Sequence, residues 1–251
     1  MTQAYKRYLP VLTLAMILPL WELICFIGSI PSYLLPAPSD IVEAFAAVDA
    51  GRWLSHLWAT LYIAIAGFML SVVVSIPIAV AMVRSEYLNK TIYPMLVVIQ
   101  STPVVAIAPL LIVILGTGDA PRLAITFLIT FFPLVVAATT GMQATPKELI
   151  ELSKSLRAKP NREIWQIRLP YAIPYIFSGL KVAITLAIIG AVIAEFVAAE
   201  EGLGYFIQFS TSFFNIPQAF ASLVVLSGIS LALFHSIKLI QKSFFSWSLD
   251  K

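Results

Sequence analysis

The chain has 251 residues and a formal net charge of +3; 60% of its residues are hydrophobic and 12% are charged. This balance, with a mean hydropathy of +0.93, is typical of a chain that lies in lipid and excludes an ordinary water-soluble domain. Long apolar runs are present, whereas the alternating segments of about ten residues that build an outer-membrane barrel are missing. The sequence therefore predicts an all-α integral membrane protein.

Six apolar runs are long enough to cross a hydrocarbon core of about 30 Å as helices. We predict six transmembrane helices at residues 9–29, 56–83, 92–115, 123–142, 174–198 and 218–240. The segment PSYLLPAPSDIVEAFAAV, before the second helix, is amphipathic and is expected to lie along the outer surface. The single cysteine, Cys25, is interpreted as an inert thiol within a helix.

The basic residues set the orientation of these helices. Arg52 and Arg122 lie on one side of the membrane, and the other lysines and arginines gather on the opposite side. Because cytoplasmic loops carry an excess of Lys and Arg, both termini are predicted to be cytoplasmic. Lys181, near the inner end of the fifth helix, is expected to reach back to the interface.

The most polar stretch is the loop between the fourth and fifth helices, ELIELSKSLRAKPNREIWQIRLP. Its charges have both signs, which argues against a simple anchor for anionic lipid and favours a protein partner. A helical hairpin that merely rests on the membrane surface is the alternative.

Local signals predict a short helix at the start of this loop. Thr145 is expected to cap it, with Pro146 at the first position and Glu148 three residues after the cap. Three leucines then repeat on one face at helical spacing, namely Leu149, Leu152 and Leu156.

The same helix is expected to carry an ion pair between Lys147 and Glu151, one turn apart. It should end before Pro160, because a proline disfavours helix at the residue that precedes it. Asn161 is expected to cap a second short helix, which stops ahead of Pro170.

The spacing in this loop resembles a motif of the permease subunits of bacterial ATP-binding-cassette importers. Those proteins carry Glu-Ala-Ala, a Gly four residues later and, after nine more residues, Ile-x-Leu-Pro. The corresponding positions here are Glu151, Leu152, Ser153, Arg157, Ile167, Arg168, Leu169 and Pro170. Both alanines and the glycine are replaced. Because a left-handed backbone costs arginine roughly 1 kcal/mol or more, we expect the helix to continue by a residue or two toward Pro160.

The resemblance extends over nearly the whole chain. LLPAPSDIV, QSTPVVAIAPLLIVILGTG and GAVIAEFVAAEEGLGYFI are similar to segments of permeases for nitrate, sulfonates, taurine and thiamine-type pyrimidines; the last, with LPYAIPYIFSGLKVAITLA, is most similar to pyrimidine and riboflavin permeases. The resemblance implies a type I importer domain at residues 55–242 with a coupling loop at 143–172. The first helix and outer segment precede it at 1–54, and a cytoplasmic tail follows at 243–251.

The resemblance also implies function and partners. The chain is expected to be a multi-pass permease of the bacterial plasma (inner) membrane that moves a small polar organic solute inward. The solute would be a thiamine-precursor pyrimidine or riboflavin, with a sulfonate, taurine or nitrate as alternatives. Its implied partners are a second permease copy in a homodimer, two ATP-binding subunits, a periplasmic or lipid-anchored binding protein, and membrane lipid; no nucleic acid is expected.

The chain lacks the G-x-x-x-x-G-K-[ST] loop that binds phosphates, so it is not expected to be an enzyme. ATP and Mg²⁺ would be used by the partner ATPase, and no cofactor is expected on this chain. The resemblance assigns coupling to the ATPase to ten residues: Glu148, Glu151, Leu152, Ser153, Leu156, Arg157, Ala158, Ile167, Leu169 and Pro170.

A break in the third helix is the first candidate for the translocation pathway, at Gln100, Ser101, Thr102 and Pro103. Irregular backbone at membrane depth is tolerated where it is buried in protein or lines a water-filled cavity. The alternative is a proline kink whose freed carbonyls are met by the Ser and Thr hydroxyls.

Glu195 is the second pathway candidate. It follows Pro174 by about 31 Å along a helix of roughly 1.5 Å per residue, which places it near the outer boundary. It acts either at an outer gate or as a pin for the loop EGLGYF.

Glu22 is likewise either a pathway residue or a structural partner. His56 and His235 are expected at opposite interfaces, so no metal site is predicted.

Two other function classes fit poorly. A secondary transporter should show inverted repeats, and none is visible in the sequence. An intramembrane enzyme would need a pattern such as H-E-x-x-H or G-x-S-x-G, and neither occurs.

Overall fold

The computed structural model describes residues 2–249, with side chains at residue 13 and from residue 15 onward. All regular structure in this part of the chain is helical. The long helices are α1 (Thr2–Ile27), α3 (Ala50–Arg84), α6 (Asp119–Gln143), α9 (Leu169–Ala198) and α11 (Ile216–Phe244). The shorter ones are α2 (Pro38–Ala47), α4 (Glu86–Ser101), α5 (Val104–Leu115), α7 (Lys147–Ser155), α8 (Pro160–Glu163) and α10 (Leu203–Ser212).

Four helices are long and apolar enough to cross a membrane, at Ala50–Arg84, Asp119–Gln143, Pro160–Ala198 and Ile216–Phe244. They contain four of the six predicted spans, which confirms an all-helical membrane architecture. The α4–α5 pair gives a fifth if it counts as one span, and Ala15–Ile27 is a shorter apolar helix. The beginning of the predicted first span lies outside the residues whose side chains are described. The count of six therefore stays a prediction.

The predicted third span, 92–115, is broken near its middle, at the place where a break was expected. The axes of α4 and α5 differ by 95°, and the break falls at Thr102 and Pro103. Thr102 is extended, with φ −80° and ψ 126°, because the ring of a following proline disfavours helical geometry. Pro103 then opens α5 as its N-cap residue.

The centre of the bundle is formed by α6, which packs against α3 and α9. Small residues allow the close approach that helices in lipid need. A Cβ atom at Gly179 of α9 would lie 2.5 Å from the Ala137 side chain of α6, and one at Gly190 would lie 2.9 Å from the Thr126 backbone. Ser71 of α3 and Thr130 of α6 share a buried hydrogen bond across the same interface.

The sequence predicts that the second helix of the loop between α6 and α9 stops ahead of Pro170, but it does not. It runs from α8 through a π-helical turn, Ile164–Arg168, straight into α9. The Leu169 amide donates to the Ile164 carbonyl, five residues back. Because a π turn changes the register of the carbonyls just before Pro170, it accommodates a residue that lacks an N–H. Lys159 is the N-cap of α8, so Asn161 does not cap it.

The C-terminal segment folds back against the N-terminal half of α9. Lys181 Nζ donates to Gln241 Oε1 at 2.7 Å, and Gln241 Nε2 donates to Ser248 Oγ at 3.0 Å. Lys181 therefore binds a partner near the end of α11, and its reach to the membrane interface stays a prediction. The predicted tail, 243–251, is anchored through Ser248, and its last two residues lie outside the described part.

Candidate functional site

The helix α7, in the loop between α6 and α9, presents two different faces. Ile150 and Ser153 are buried against the protein, whereas three leucines point away from it. Leu149, Leu152 and Leu156 are 41%, 56% and 73% exposed. Apolar side chains on the free face of a nine-residue helix need a partner surface, since the helix buries little of its own.

Further predicted coupling residues share that free side. Glu148, Glu151 and Arg157 are exposed, whereas Ala158, Ile167, Leu169 and Pro170 are half-buried. Ser153, which stands at an alanine of the family motif, faces inward. The structure thus separates the ten residues into an outward set and a supporting set.

The start of α7 differs from the capping box that was expected. The N-cap residue is Pro146, and Thr145 is buried and donates to the Met142 carbonyl at 2.9 Å. Arg168 Nη1 donates to the same carbonyl at 3.3 Å and its Nε pairs with Glu163 at 2.8 Å. These contacts join the loop to the end of α6. The expected ion pair between Lys147 and Glu151 does not form. Among the residues whose side chains are described, the ion pairs are Glu86–Lys90, Asp119–Arg122 and Glu163–Arg168.

The end of α7 contradicts the expectation that Arg157 would prolong the helix. The helix ends at Ser155, and Arg157 takes a left-handed φ of 50°. The Ala158 amide donates to the Ser153 carbonyl at 3.0 Å and the Arg157 amide to the Lys154 carbonyl at 2.9 Å. This pair of bonds is the Schellman motif, which usually ends in glycine. The two hydrogen bonds and the following Pro160 hold arginine in the conformation that glycine takes more easily.

The residues at the break between α4 and α5 lie on the surface of the single chain. Ser101 Oγ donates to the Val97 carbonyl at 2.7 Å, and Thr102 Oγ1 donates to the Val98 carbonyl at 3.1 Å. These bonds are those expected of the alternative, a kink whose carbonyls are met by hydroxyls. Gln100 lines a cavity of about 430 Å³ with Thr140 and Ser178.

Glu195 belongs to a separate cluster near the C-terminal end of α9. It is 1% exposed, although it stands near the end of α9. Its Oε2 accepts the Gly204 amide at 2.7 Å, Thr60 Oγ1 accepts the Leu203 amide at 2.8 Å, and His56 Nδ1 accepts the Gly202 amide at 3.2 Å. Three side chains from α3 and α9 therefore satisfy consecutive amides at the start of α10. We call His56, Thr60 and Glu195 the capping cluster of α10.

The capping cluster explains the two glycines beside it. Gly202 has a φ of 124°, and a Cβ atom there would lie 2.3 Å from Glu195 Cδ. At Gly204 a Cβ atom would lie 2.8 Å from Glu195 Oε2 and 3.0 Å from the Val192 carbonyl. A carboxylate at the N-terminus of a helix is also favoured by the helix dipole. The contacts are those expected of a pin for the following loop.

Sequence reasoning missed most of this cluster. His56 was expected at an interface, but it is buried, and Thr60 was not singled out. The available signal was their spacing of four residues, which places both on one face of α3.

Glu22 proves to be a structural partner, since its carboxylate accepts the Ser39 amide at 3.1 Å and hydroxyl at 2.7 Å. Within residues 2–249, no three His, Cys, Asp or Glu residues are grouped to hold a metal ion.

Comparison with known proteins decides the family. Residues 71–246 match the family described as the inner membrane component of binding-protein-dependent transport systems. A probable ABC transporter permease protein of Haemophilus influenzae is 33% identical over 228 residues, which cover 91% of this chain and 93% of the relative. The chain belongs to this family of ABC importer permeases.

Two further relatives are named for the substrates they transport. The permease is 32% identical over 247 residues to the formylaminopyrimidine transport permease of Halalkalibacterium halodurans, with 98% of each chain covered. It is 31% identical over 240 residues to the riboflavin transport permease of Chloroflexus aurantiacus, with 95% of this chain and 89% of the relative covered.

The fold also has a solved counterpart. The permease resembles a chain of the inward-facing methionine ABC transporter MetNI with a TM-score of 0.66 and 19% identity, over 74% of this chain and 93% of that chain. The family match includes α7, Glu195 and both glycines of the outer turn, but it begins after His56 and Thr60. Two of the three residues of the capping cluster therefore lie outside the matched region.

Proposed function

We propose that the permease is the membrane subunit of an ATP-driven importer and that α7 is its coupling helix. The observation that carries this proposal is the exposed leucine face of α7, with Glu148 and Glu151 beside it. It is a surface suited to a cleft in a soluble protein, and the chain has no phosphate-binding loop of its own. Two ATP-binding subunits would each receive one such helix from a homodimer of permeases.

Six transmembrane helices with cytoplasmic termini, as the basic residues indicate, put α7 on the side where ATP is available. The α10 end of α9 would then face a periplasmic or lipid-anchored binding protein that delivers the solute. ATP-driven closure of the ATPase pair would move the docked helices and tilt the bundle from inward-open to outward-open, which is a shift between two states. The cargo is a small polar organic solute. The names of the pyrimidine and riboflavin permeases among the relatives favour a thiamine-precursor pyrimidine or riboflavin.

Other relatives keep a second substrate class open. The permease is 25% identical to the putative aliphatic sulfonates permease of Bacillus subtilis and 26% identical to the taurine permease of Escherichia coli. A sulfonate, taurine or nitrate importer is therefore the alternative.

The test is co-purification followed by reconstitution. We expect the tagged permease to bring down two copies of an ATPase and to support uptake in proteoliposomes only with that ATPase, ATP and the binding protein. Uptake by the permease alone, without ATP, would show a secondary transporter and overturn the proposal. A permease variant with Leu152 and Leu156 replaced by serine should lose the ATPase while it still inserts in the membrane.

A further inference from the structure

We infer that the permease itself holds an outer binding site for an uncharged or cationic solute with an aromatic ring, and that this site disfavours anions. The inference rests on the proposed function and narrows its substrate class. The site is a cavity of about 1060 Å³ lined by residues of α3, α5, α6, α9 and α10.

The walls of the cavity carry flat aromatic surfaces. Tyr62 of α3, Phe196 of α9 and Tyr205 of α10 all line it. Tyr205 is held in place by its neighbours, with its ring centroid 6.1 Å from His56 and 6.0 Å from Phe209. A ring that is fixed by packing offers a stacking surface at little further entropic cost.

The charges in the walls have an excess of carboxylates. Arg122 is the one Lys or Arg side chain among the described lining residues, and it is already bound to Asp119 at 2.6 Å and to the Gly118 carbonyl at 3.0 Å. Among the side chains that the structure describes, Glu200 and Glu201 form no ion pair, and Glu201 accepts a hydrogen bond from the Ser55 hydroxyl at 3.3 Å. Because like charges repel across a partly dry cavity, an anionic solute such as a sulfonate or nitrate is disfavoured there.

Two hydrogen-bonding side chains also line the cavity. Glu195 is 1% exposed and its carboxylate accepts the Gly204 amide at the start of α10, so it closes the wall and offers the solute no free acceptor. Gln208 adds an amide that can donate or accept.

The experiment measures equilibrium binding to the full-length permease in lipid nanodiscs, without binding protein. Four probes separate the chemical classes: riboflavin (uncharged aromatic), thiamine (cationic aromatic), taurine and nitrate. We expect both aromatic probes to bind at least about tenfold more tightly than taurine or nitrate, a ratio that corresponds to about one charge repulsion in such a cavity.

Variants locate the binding. Tyr205→Leu and, separately, the exposed Tyr62→Leu should weaken riboflavin binding by about three- to tenfold, the usual value of one aromatic contact. Glu200→Gln combined with Glu201→Gln should weaken thiamine binding and leave riboflavin within about threefold, because a charge interaction is lost and the ring contacts remain. Tyr87→Leu and Glu43→Gln, which make the same changes away from the cavity, should bind all four probes like the wild type.

Three results would overturn the inference. The first is equal or tighter binding of the anions, and the second is no saturable binding of either aromatic probe up to about 10 mM, a concentration above the Kd of any useful site. The third is an unchanged binding profile in every cavity variant. The proposed function is judged separately by ATPase co-purification and ATP-driven uptake. A permease that assembles and transports but binds no aromatic probe refutes this inference alone. One that binds them and recruits no ATPase refutes only the proposed function.

Discussion

At the scale of single residues, Arg157 shows how a local preference is overridden by its surroundings. Replacing it with glycine, the residue at this place in the family motif, should stabilise the end of α7 by about 1 kcal/mol, because a left-handed backbone no longer meets a Cβ atom. The measurement is hydrogen exchange of a peptide covering residues 147–158, which should slow by about fivefold. Arg162→Gly is the matched control; it lies in helical α8 and should not slow exchange. Unchanged protection in Arg157→Gly would show that the arginine is not strained.

Substitutions of Glu195 distinguish two roles for this residue: a structural contact that holds the following turn, and a charged gate. Glu195→Gln keeps an oxygen that can accept the Gly204 amide, so assembly and ATP-driven uptake should stay near wild type. Glu195→Leu removes that acceptor and should destabilise the outer turn by about 1–3 kcal/mol, seen as a lower thermal unfolding temperature. If the glutamine variant assembles and hydrolyses ATP but does not transport, the carboxylate charge acts in gating and the pin is an incomplete description.

At the scale of helices, the contact between α6 and α9 depends on glycine. Gly179→Ala should destabilise the permease by about 1–3 kcal/mol, since a methyl group beside Ala137 forces the helices apart. Gly228→Ala in α11 is the control, because nothing lies within 4 Å of its added methyl group. Thermal unfolding in detergent should lower the first variant's midpoint and leave the second unchanged or slightly raised. Equal midpoints would mean that the interface is loose enough to repack.

The elements differ in how far the sequence could predict them. Long apolar runs identified α3, α6, α9 and α11, because length and hydropathy decide membrane helices almost without tertiary context. The break at Pro103 was recognised, but its 95° angle depends on packing. The π turn before Pro170 was missed, since no local signal distinguishes a proline that ends a helix from one that the helix absorbs.

The candidate sites show the same limit. The position of α7 followed from motif spacing, whereas its cap and the conformation of Arg157 depend on contacts with α6 and on Pro160. The capping cluster of α10 joins residues that are 146 and 143 positions apart, a distance over which a single sequence carries no periodic signal. What could be predicted there was Glu195 with its nearby glycines.

At the scale of the whole molecule, coupling requires that α7 transmit force to the bundle. Thr145 and Arg168 both bind the Met142 carbonyl at the end of α6, and α8 continues into α9, so a movement of α7 is passed to the two central helices.

Glu151→Lys tests the docking end of this connection. A reversed charge at a desolvated contact should weaken ATPase binding by about 2–5 kcal/mol, which lowers ATPase recovery in co-purification and abolishes ATP-driven uptake. Membrane insertion should stay normal because Glu151 is exposed and pairs with no other described residue. Glu43→Lys makes the same change on α2 and should retain both ATPase recovery and uptake; if Glu151→Lys behaves likewise, Glu151 does not lie at the interface with the ATPase.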